Sequence, residues 1–289
     1  MAARRQVGGG VAHAAGSGVL PWYRAGGAPA PVAAYQPIGA ARYAWSLVNL
    51  ANPGIYNAYA GVAPTWYSSI GWWFDGSSQY LKTGVIPEND QTWTMIVRFS
   101  GGPSSGTYCI AGCQTDTTYK RLMLFSTIDL AAPNCVAYVN GTATNGLISP
   151  RMIAGVLCVT GAKGYRNGVI DTPVDVSAGS GAITHEIYIG GRNGVGVLQY
   201  PFSGEIQAVA IYDSVLTAAQ VAAVSAAMAA LVDETPVDWS QWFTNAWVAL
   251  GAANAAASYV DLVGAANLSV VGSPTWGAMN GWGPNGNGA

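Results

Sequence analysis

Charge is what this sequence has least of. Of its 289 residues, 26 are charged, 12 Lys+Arg and 14 Asp+Glu, or 9%; an ordinary soluble domain carries about 25%. A net charge of −2 leaves no basic excess, which argues against a nucleic-acid-binding face. No 18-residue apolar run escapes interruption by Gly, Pro or a polar side chain, so no transmembrane helix and no membrane partner are expected. Met1–Arg5 is a charged start, but the Gly-rich stretch 6–16 breaks up any signal-peptide core.

Catalytic side chains are scarce as well. Glutamate occurs four times, at Glu88, Glu186, Glu205 and Glu234. Retaining glycoside hydrolysis requires a carboxylate pair, and the nearest approach, Glu88-Asn-Asp90, falls in an expected turn. The two histidines, His13 and His185, lie far apart and show no nucleophile and orienting acid in a triad pattern. Gly190–Gly196 is glycine-rich but lacks the βαβ context of a phosphate-binding loop. The chain is therefore expected not to be an enzyme. Cys109, Cys113, Cys135 and Cys158 include no CxxC pair, so no zinc site is expected. Cys109 and Cys113 are expected on one face of one strand, and buried free thiols are the favoured reading. A Cys135–Cys158 disulfide is the alternative.

What is abundant is glycine, with 38 residues, and tryptophan, with 11. Their surroundings divide the chain. Residues 75–238 hold 21 of the 26 charges but only Trp93; the other ten Trp lie outside. Residues 1–34, rich in Gly and Ala and broken by Pro21, Pro29 and Pro31, are expected to be an arm. Residues 35–232 are expected to form one domain whose lead-in segment is 35–73, and 233–289 an extension.

The centre reads as strands. In Thr92–Phe99, Trp93, Met95, Val97 and Phe99 alternate with Thr94, Ile96 and Arg98, the period of a strand. Further strands are expected at Tyr108–Gln114, Arg121–Ile128, Cys135–Val139, Met152–Thr160, Ile183–Ile189 and Glu205–Tyr212. The Asn-Gly pairs at 140–141, 145–146, 167–168 and 193–194 suit tight hairpins, because both residues tolerate positive φ. Many short strands with frequent turns indicate a sandwich or barrel. One helix is expected after Thr217-Ala-Ala-Gln220, which fits a capping box. Val221, Val224, Met228, Leu231 and Val232 follow at helical spacing, and the helix is expected to end near Asp233.

The flanks repeat one another. Gly39-Ala-Ala, Ser46 and Val48-Asn-Leu50 match Gly251-Ala-Ala, Ser258 and Val260-Asp-Leu262. Pro64-Thr-Trp66 and Gly71-Trp72 match Pro274-Thr-Trp276 and Gly281-Trp282. Two motifs in the same order mark a repeated unit. Trp is enriched at interfaces, so Trp45, Trp66, Trp72, Trp242, Trp247, Trp276 and Trp282 are the expected assembly residues. Self-association or contact with neighbouring proteins is expected through 35–74 and 239–289, with packing of both flanks on their own domain as the competing reading.

Phe74–Gly84, Trp93–Phe99 and Gly164-Tyr-Arg-Asn-Gly-Val169 resemble strands and a hairpin of laminin-G-like, concanavalin A-type jelly-roll domains. Phe202–Val221 is similar to their closing strand and following helix. The resemblance covers about residues 72–232. It implies an all-β, concanavalin A-like (laminin-G-like) jelly-roll sandwich with one short C-terminal helix and extended Trp-rich flanks. Ala34–Gly84 is similar to stretches that precede such domains in phage and bacterial surface proteins. Together these imply a non-catalytic virion structural protein at the virion surface, of capsid-decoration or fibre type, with glycan or cell-surface adhesion by the displayed domain. The alternative is a bacterial secreted or surface carbohydrate-binding module. The family also implies Ca²⁺ as the one metal to consider, with Asp75, Asp116, Asp129 and Asp213 as carboxylates of the right type; their spacing forms no calcium loop, and no cofactor is expected. Tyr119, Tyr165 and Tyr200 lie near expected loops, where an aromatic face can stack on a sugar.

Overall fold

The computed structural model describes residues 20–88, 92–115, 120–129, 135–140, 146–148, 151–173, 183–231, 275–277 and 281–283. In chain order the strands are β1 (Ala33–Tyr35), β2 (Tyr59–Val62), β3 (Thr65–Tyr67), β4 (Gly71–Asp75), β5 (Tyr80–Lys82), β6 (Thr94–Ser100), β7 (Tyr108–Gln114), β8 (Arg121–Ile128) and β9 (Cys135–Asn140). They continue with β10 (Gly146–Ile148), β11 (Gly155–Thr160), β12 (Lys163–Arg166), β13 (Val169–Pro173), β14 (Tyr188–Ile189), β15 (Gly191–Gly194), β16 (Val197–Gln199), β17 (Ser203–Tyr212), β18 (Thr275–Gly277) and β19 (Gly281–Gly283). Helices α1 (Tyr43–Ser46) and α2 (Ala218–Ala229) and a 3-10 helix, Trp22–Gly27, complete the described elements.

Two sheets form the sandwich. The first runs β13-β12-β11-β6-β17-β4-β3, with β1 also on β17. The second runs β10-β9-β8-β7-β14-β5-β2, with β15 on β7 and β16 on β15. Between them lies the main core, in which Trp72, Phe74, Met95, Val97 and Phe99 of the first sheet meet Leu81, Ile110, Leu122, Leu124 and Ile189 of the second. The architecture is all-β, as the alternating pattern predicts.

β6 follows its sequence period residue by residue. Trp93, Met95, Val97 and Phe99 face the core, while Ile96 joins a second cluster on the far side of the first sheet. Arg98, also on that side, donates from Nη1 to the carbonyls of Met228 (2.7 Å) and Leu231. These lie at the C-terminal end of α2, where carbonyls run out of intrahelical partners and Met228 O otherwise accepts in a tighter turn from Leu231 N. β17 changes parity: Ile206, Val209 and Ile211 face the core, and Ala208, Ala210 and Tyr212 the other side. The shift occurs at a bulge between Ile206 and Ala208, where the extra residue rotates the strand.

Helix α2 begins as expected. The Thr217 hydroxyl accepts from Gln220 N at 3.3 Å, and Gln220 Oε1 accepts from Thr217 N at 2.9 Å. Val221, Val224 and Met228 bury against the outer side of the first sheet. Val232 and Asp233 lie outside the described residues.

The expected arm is already part of the domain from residue 21 onward. The 3-10 helix packs on α2, with Gln220 Nε2 donating to Gly27 O at 3.1 Å. Tyr212 donates its hydroxyl to Tyr23 O at 2.7 Å, and β1 pairs with β17 from Ala33↔Ile211 to Tyr35↔Val209. The prolines exclude a long helix or a central strand, but not a single turn followed by three paired residues.

The lead-in segment turns on Asn49, which is fully buried. Its Oδ1 accepts from Ala34 N (2.9 Å) and Ala51 N (3.0 Å), and its Nδ2 donates to Val32 O (2.9 Å) and Ile55 O (2.8 Å). Every polar atom of the amide is thus satisfied, as burial requires. The matching residue of the C-terminal repeat is Asp261, which when ionised cannot donate. The repeat itself has backbone substance: β18 and β19 pair Trp276 with Trp282 and Gly277 with Gly281, the register in which β3 and β4 pair Trp66 with Trp72 and Tyr67 with Gly71.

Of the Asn-Gly signals, Asn167–Gly168 makes the β12–β13 turn with φ of +49° and +80°. Asn193–Gly194 does not turn: both residues lie in β15, and the chain reverses at Val195–Gly196. Asn193 is employed otherwise, its Oδ1 accepting from Gly196 N at 2.7 Å and its Nδ2 donating to Glu186 O at 2.9 Å. The strand expected over Ile183–Ile189 is reduced to Tyr188–Ile189.

Candidate functional site

The outer face of the second sheet carries a cross-strand row. Tyr59 of β2 stands opposite Lys82 of β5, which stands opposite Tyr188 of β14. Their common side follows from strand geometry, because directly paired residues share a face. Leu81 and Ile189, one position along, point into the core instead. The Lys82 ammonium lies 6.0 Å from the Tyr59 ring centroid and 5.8 Å from that of Tyr188, within the range of cation–π attraction. Tyr80, also on β5, packs its ring 4.7 Å from that of Tyr188 and lies over Gly61, where a Cβ would stand 2.1 Å from the Tyr80 ring.

Glu186 braces one end of the row. Its carboxylate accepts from the Tyr59 hydroxyl at 3.2 Å and from Gly84 N at 2.7 Å. Burial raises the Tyr59 phenol above its ordinary pKa, and the Glu186 charge adds to the effect. Burial also pushes the Tyr188 phenol up to about 12. Tyr59 is 50% exposed while Tyr188 is buried, so Tyr59 offers its ring outward and Tyr188 forms a floor. The concavity between them measures about 410 Å³ and is lined by Tyr59, Lys82, Ile86, His185, Glu186 and Asn193 among others. His185 sits at its edge, with Nδ1 3.1 Å from Thr184 Oγ1.

A second cation–aromatic pair lies on the same sheet. The Arg192 guanidinium stands 4.6 Å from the Tyr200 ring centroid, and Tyr200 meets Phe125 edge to face at 5.9 Å. Tyr200 is 42% exposed. Two exposed tyrosines, each beside a cation, thus stand on the outer side of one sheet, Tyr59 at the concavity and Tyr200 outside its lining.

The stacking residues expected from sequence fare differently. Tyr200 is on this face. Tyr165 is 1% exposed and buried under α2 beside Cys158, because β12 belongs to the other sheet; it cannot stack on a sugar. Tyr119 lies outside the described residues. Tyr59, Lys82 and Tyr188 escaped sequence reasoning, since strand pairing joins positions remote in the chain. The available signal was the alternation of Tyr80 and Lys82 around Leu81.

The expected assembly residues are also redistributed. Trp72 is fully buried, donating its indole N–H to Ser46 Oγ at 2.7 Å; it is core of its own domain and has no surface to offer a neighbour. Trp66 is half-buried and donates to Pro37 O at 3.0 Å, and Trp45 is half-buried beneath Arg42. Trp276 and Trp282 lie on the β18–β19 hairpin; Trp242 and Trp247 fall outside the described residues.

Among the carboxylates considered for Ca²⁺, Asp75 accepts from the backbone N–H groups of Ser77 (2.8 Å) and Ser78 (3.0 Å), and its carboxyl lies below its ordinary pKa despite a desolvation effect of opposite sign. Asp129 and Asp213 are exposed, and Asp116 lies outside the described residues. No group of three metal-ligating side chains occurs among the described residues. Glu88 lines a separate concavity of about 360 Å³ with Asp213, and Asp90 lies outside the described residues. Cys109 and Cys113 do not share a face: register shifts around Cys109 leave Cys109 against Met123 and Phe125 on the outer side and Cys113 in the main core. Cys158 is a buried free thiol.

No protein-family profile and no curated protein matches the sequence. The fold is similar to a Trypanosoma rangeli sialidase in complex with 2,3-difluorosialic acid, with a TM-score of 0.50 and 14% identity over 70% of this chain and 33% of that one. It is also similar to domain 4 of an extracellular GH43 arabinanase from Geobacillus stearothermophilus in complex with arabinotriose, with a TM-score of 0.45 and 15% identity over 68% of this chain and 98% of that one. A third is the CBM40 of a Ruminococcus gnavus sialidase bound to α2,3-sialyllactose, with a TM-score of 0.36 and 16% identity over 47% of this chain and 82% of that one. The likeness to the sialidase chain is one of fold, an all-β sandwich, and takes in a third of that protein.

Proposed function

We propose that this domain is a non-catalytic carbohydrate-binding module of laminin-G-like, concanavalin A-type jelly-roll form, acting outside the cell or on a cell surface. The observation that carries the reading is the concavity of the second sheet's outer face, floored by Tyr188 and edged by the exposed ring of Tyr59 with Lys82 and Glu186. A second exposed tyrosine beside a cation, Tyr200 with Arg192, stands on the same sheet. A sugar presents apolar C–H faces and a rim of hydroxyls. Aromatic rings cover the first, and fixed donors and acceptors orient the second. The virion setting expected from the sequence finds no support in the fold or in the similar structures; the carbohydrate-binding alternative is the one this face favours. Self-association through the Trp-rich flanks belongs to the same proposal only as a secondary property, without the fully buried Trp72.

The test is a glycan array probed with the full chain and with Tyr59→Ala and Tyr200→Ala. Each variant should lose at least tenfold in signal while keeping the far-ultraviolet circular dichroism of the parent. A parent that binds no glycan, or variants that bind like it, would refute the reading. Glycans recovered uncleaved after prolonged incubation support the non-catalytic assignment.

A further inference from the structure

The tip of the β15–β16 hairpin works against its own residue chemistry. Its two-residue turn, Val195–Gly196, has φ of +57° and +87°, left-handed at both positions as in a type I′ turn. The β12–β13 hairpin turns with the same pair of signs at Asn167–Gly168, the residue pair this geometry favours. A β-branched residue is the least suited to positive φ, because its Cβ substituents crowd the backbone. Asn193–Gly194 stands two residues too early to relieve the turn.

The tip is nevertheless held firmly. Asn193 joins Gly196 N to the carbonyl of Glu186, and the Glu186 carboxylate holds Tyr59 and Gly84. The turn is thereby fixed to the wall of the Tyr59–Tyr188 concavity, which Gly196 itself lines. The strained side chain contributes little to packing: Val195 is 51% exposed and Val197, just past the turn, 62%. Ile86, another lining residue, is exposed as well. Backbone strain kept without burial is a mark of a contact made to something else.

We propose that Val195, with Val197, forms an apolar rim of the glycan site and receives the methyl group of a sugar, either a 6-deoxy sugar or an N-acetylated one. The inference rests on the glycan-binding reading of this face. A methyl group buried against two valines loses apolar surface to water, while the ring hydroxyls remain over the polar groups of the concavity.

Val195→Asn restores the Asn-Gly pair and removes the apolar contact. The full chain and this variant are compared on an array that carries chitotriose with cellotriose, which differ by acetamido against hydroxyl groups, and D-fucose with D-galactose, which differ by methyl against hydroxymethyl. The parent should favour the methyl-bearing member of one pair by about tenfold, and the pair identifies which source of methyl is read. The variant should bring that preference close to one and raise Tm by roughly 2–4 °C. A parent that binds sugars yet favours neither methyl-bearing member overturns the proposal and leaves the binding reading standing. So does a preference that Val195→Asn retains. A lowered Tm in the variant removes the premise of strain and overturns it also. A parent that binds no sugar at all overturns both.

Discussion

Lys82 presents its ammonium between the rings of Tyr59 and Tyr188, at 6.0 and 5.8 Å from their centroids, and among the described residues no carboxylate forms an ion pair with it. A cation placed so has donors to spare for a ligand oxygen. Lys82→Met keeps the apolar stem and deletes the charge. Glycan affinity is expected to fall by about 1.5–3 kcal/mol, the range of a charged hydrogen bond, at an unchanged Tm. Isothermal titration calorimetry with whichever glycan the array selects measures it. Equal affinities would remove Lys82 from the site.

Gly61→Ala tests how the row is supported. The new Cβ would stand 2.1 Å from the Tyr80 ring, so Tyr80 must move off Tyr188. Overpacking of this kind costs about 1–3 kcal/mol. In the double variant Gly61→Ala, Tyr80→Ala, the added cost of the methyl should largely vanish, giving a coupling energy of opposite sign to the single effects. Additive costs would mean that the two positions do not touch.

High pH should unfold the sandwich from its tyrosines. Burial pushes the Tyr188 phenol up to about 12 and drives Tyr35 and Tyr212 higher still, against an ordinary value of 10.0. A group whose folded pKa is raised stabilises fully below its unfolded pKa, and that stability is lost as pH rises through the folded value. Stability is therefore expected to hold up to about pH 10 and to decline above it. Phenolate absorbance should then rise together with loss of circular dichroism. Smooth titration of every tyrosine near pH 10, with the fold retained, would contradict this.

Ser46→Ala isolates one buried bond. It strands the Trp72 indole N–H, which the Ser46 hydroxyl accepts at 2.7 Å, and a stranded buried donor costs about 1–3 kcal/mol. The urea midpoint should fall at constant m. A midpoint like that of the parent would show that water or another acceptor replaces the hydroxyl.

Cysteine labelling gives a further check. Burial pushes the Cys109 thiol up to about 12 and raises Cys158 as well, and Cys113 is buried in the core. Thiolate is the reactive form, so these three should react with a disulfide reagent at neutral pH only after denaturation. More than one equivalent of rapid labelling in the folded protein, beyond what Cys135 can supply, would contradict the placement.

The residues show why some of this was legible in sequence and some was not. β6 and α2 were readable because their periods are local: Met95, Val97 and Phe99 alternate, and Val221, Val224 and Met228 recur along a helix. Cys109 and Cys113 were misplaced for the same reason in reverse, since a strand period holds only until a bulge, and the register shifts around Cys109 leave no composition signal. The turn at Val195–Gly196 was missed because tertiary tethering by Asn193 overrides the preference of its own dipeptide. The candidate site was the least legible part. Residues 59, 82 and 188 become neighbours only through β2–β5 and β5–β14 pairing, and Tyr165 and Tyr200, alike in sequence context, end on different sheets. The repeat of Trp66 and Trp72 at Trp276 and Trp282 was visible from the start, and the paired hairpins share its register.

The 3-10 helix at Trp22–Gly27 and helix α2 pack together on the outer side of the first sheet, whereas Tyr59, Lys82 and Tyr188 look out from the second. The stretch from residue 20 to residue 231 therefore begins and ends on the same side, with the thickness of the sandwich between both junctions and the tyrosine face. Whatever polypeptide is joined before residue 20 or after residue 231 starts from the back of the domain. Residues 20 and 231 thus sit behind the tyrosine face as a handle sits behind a mirror.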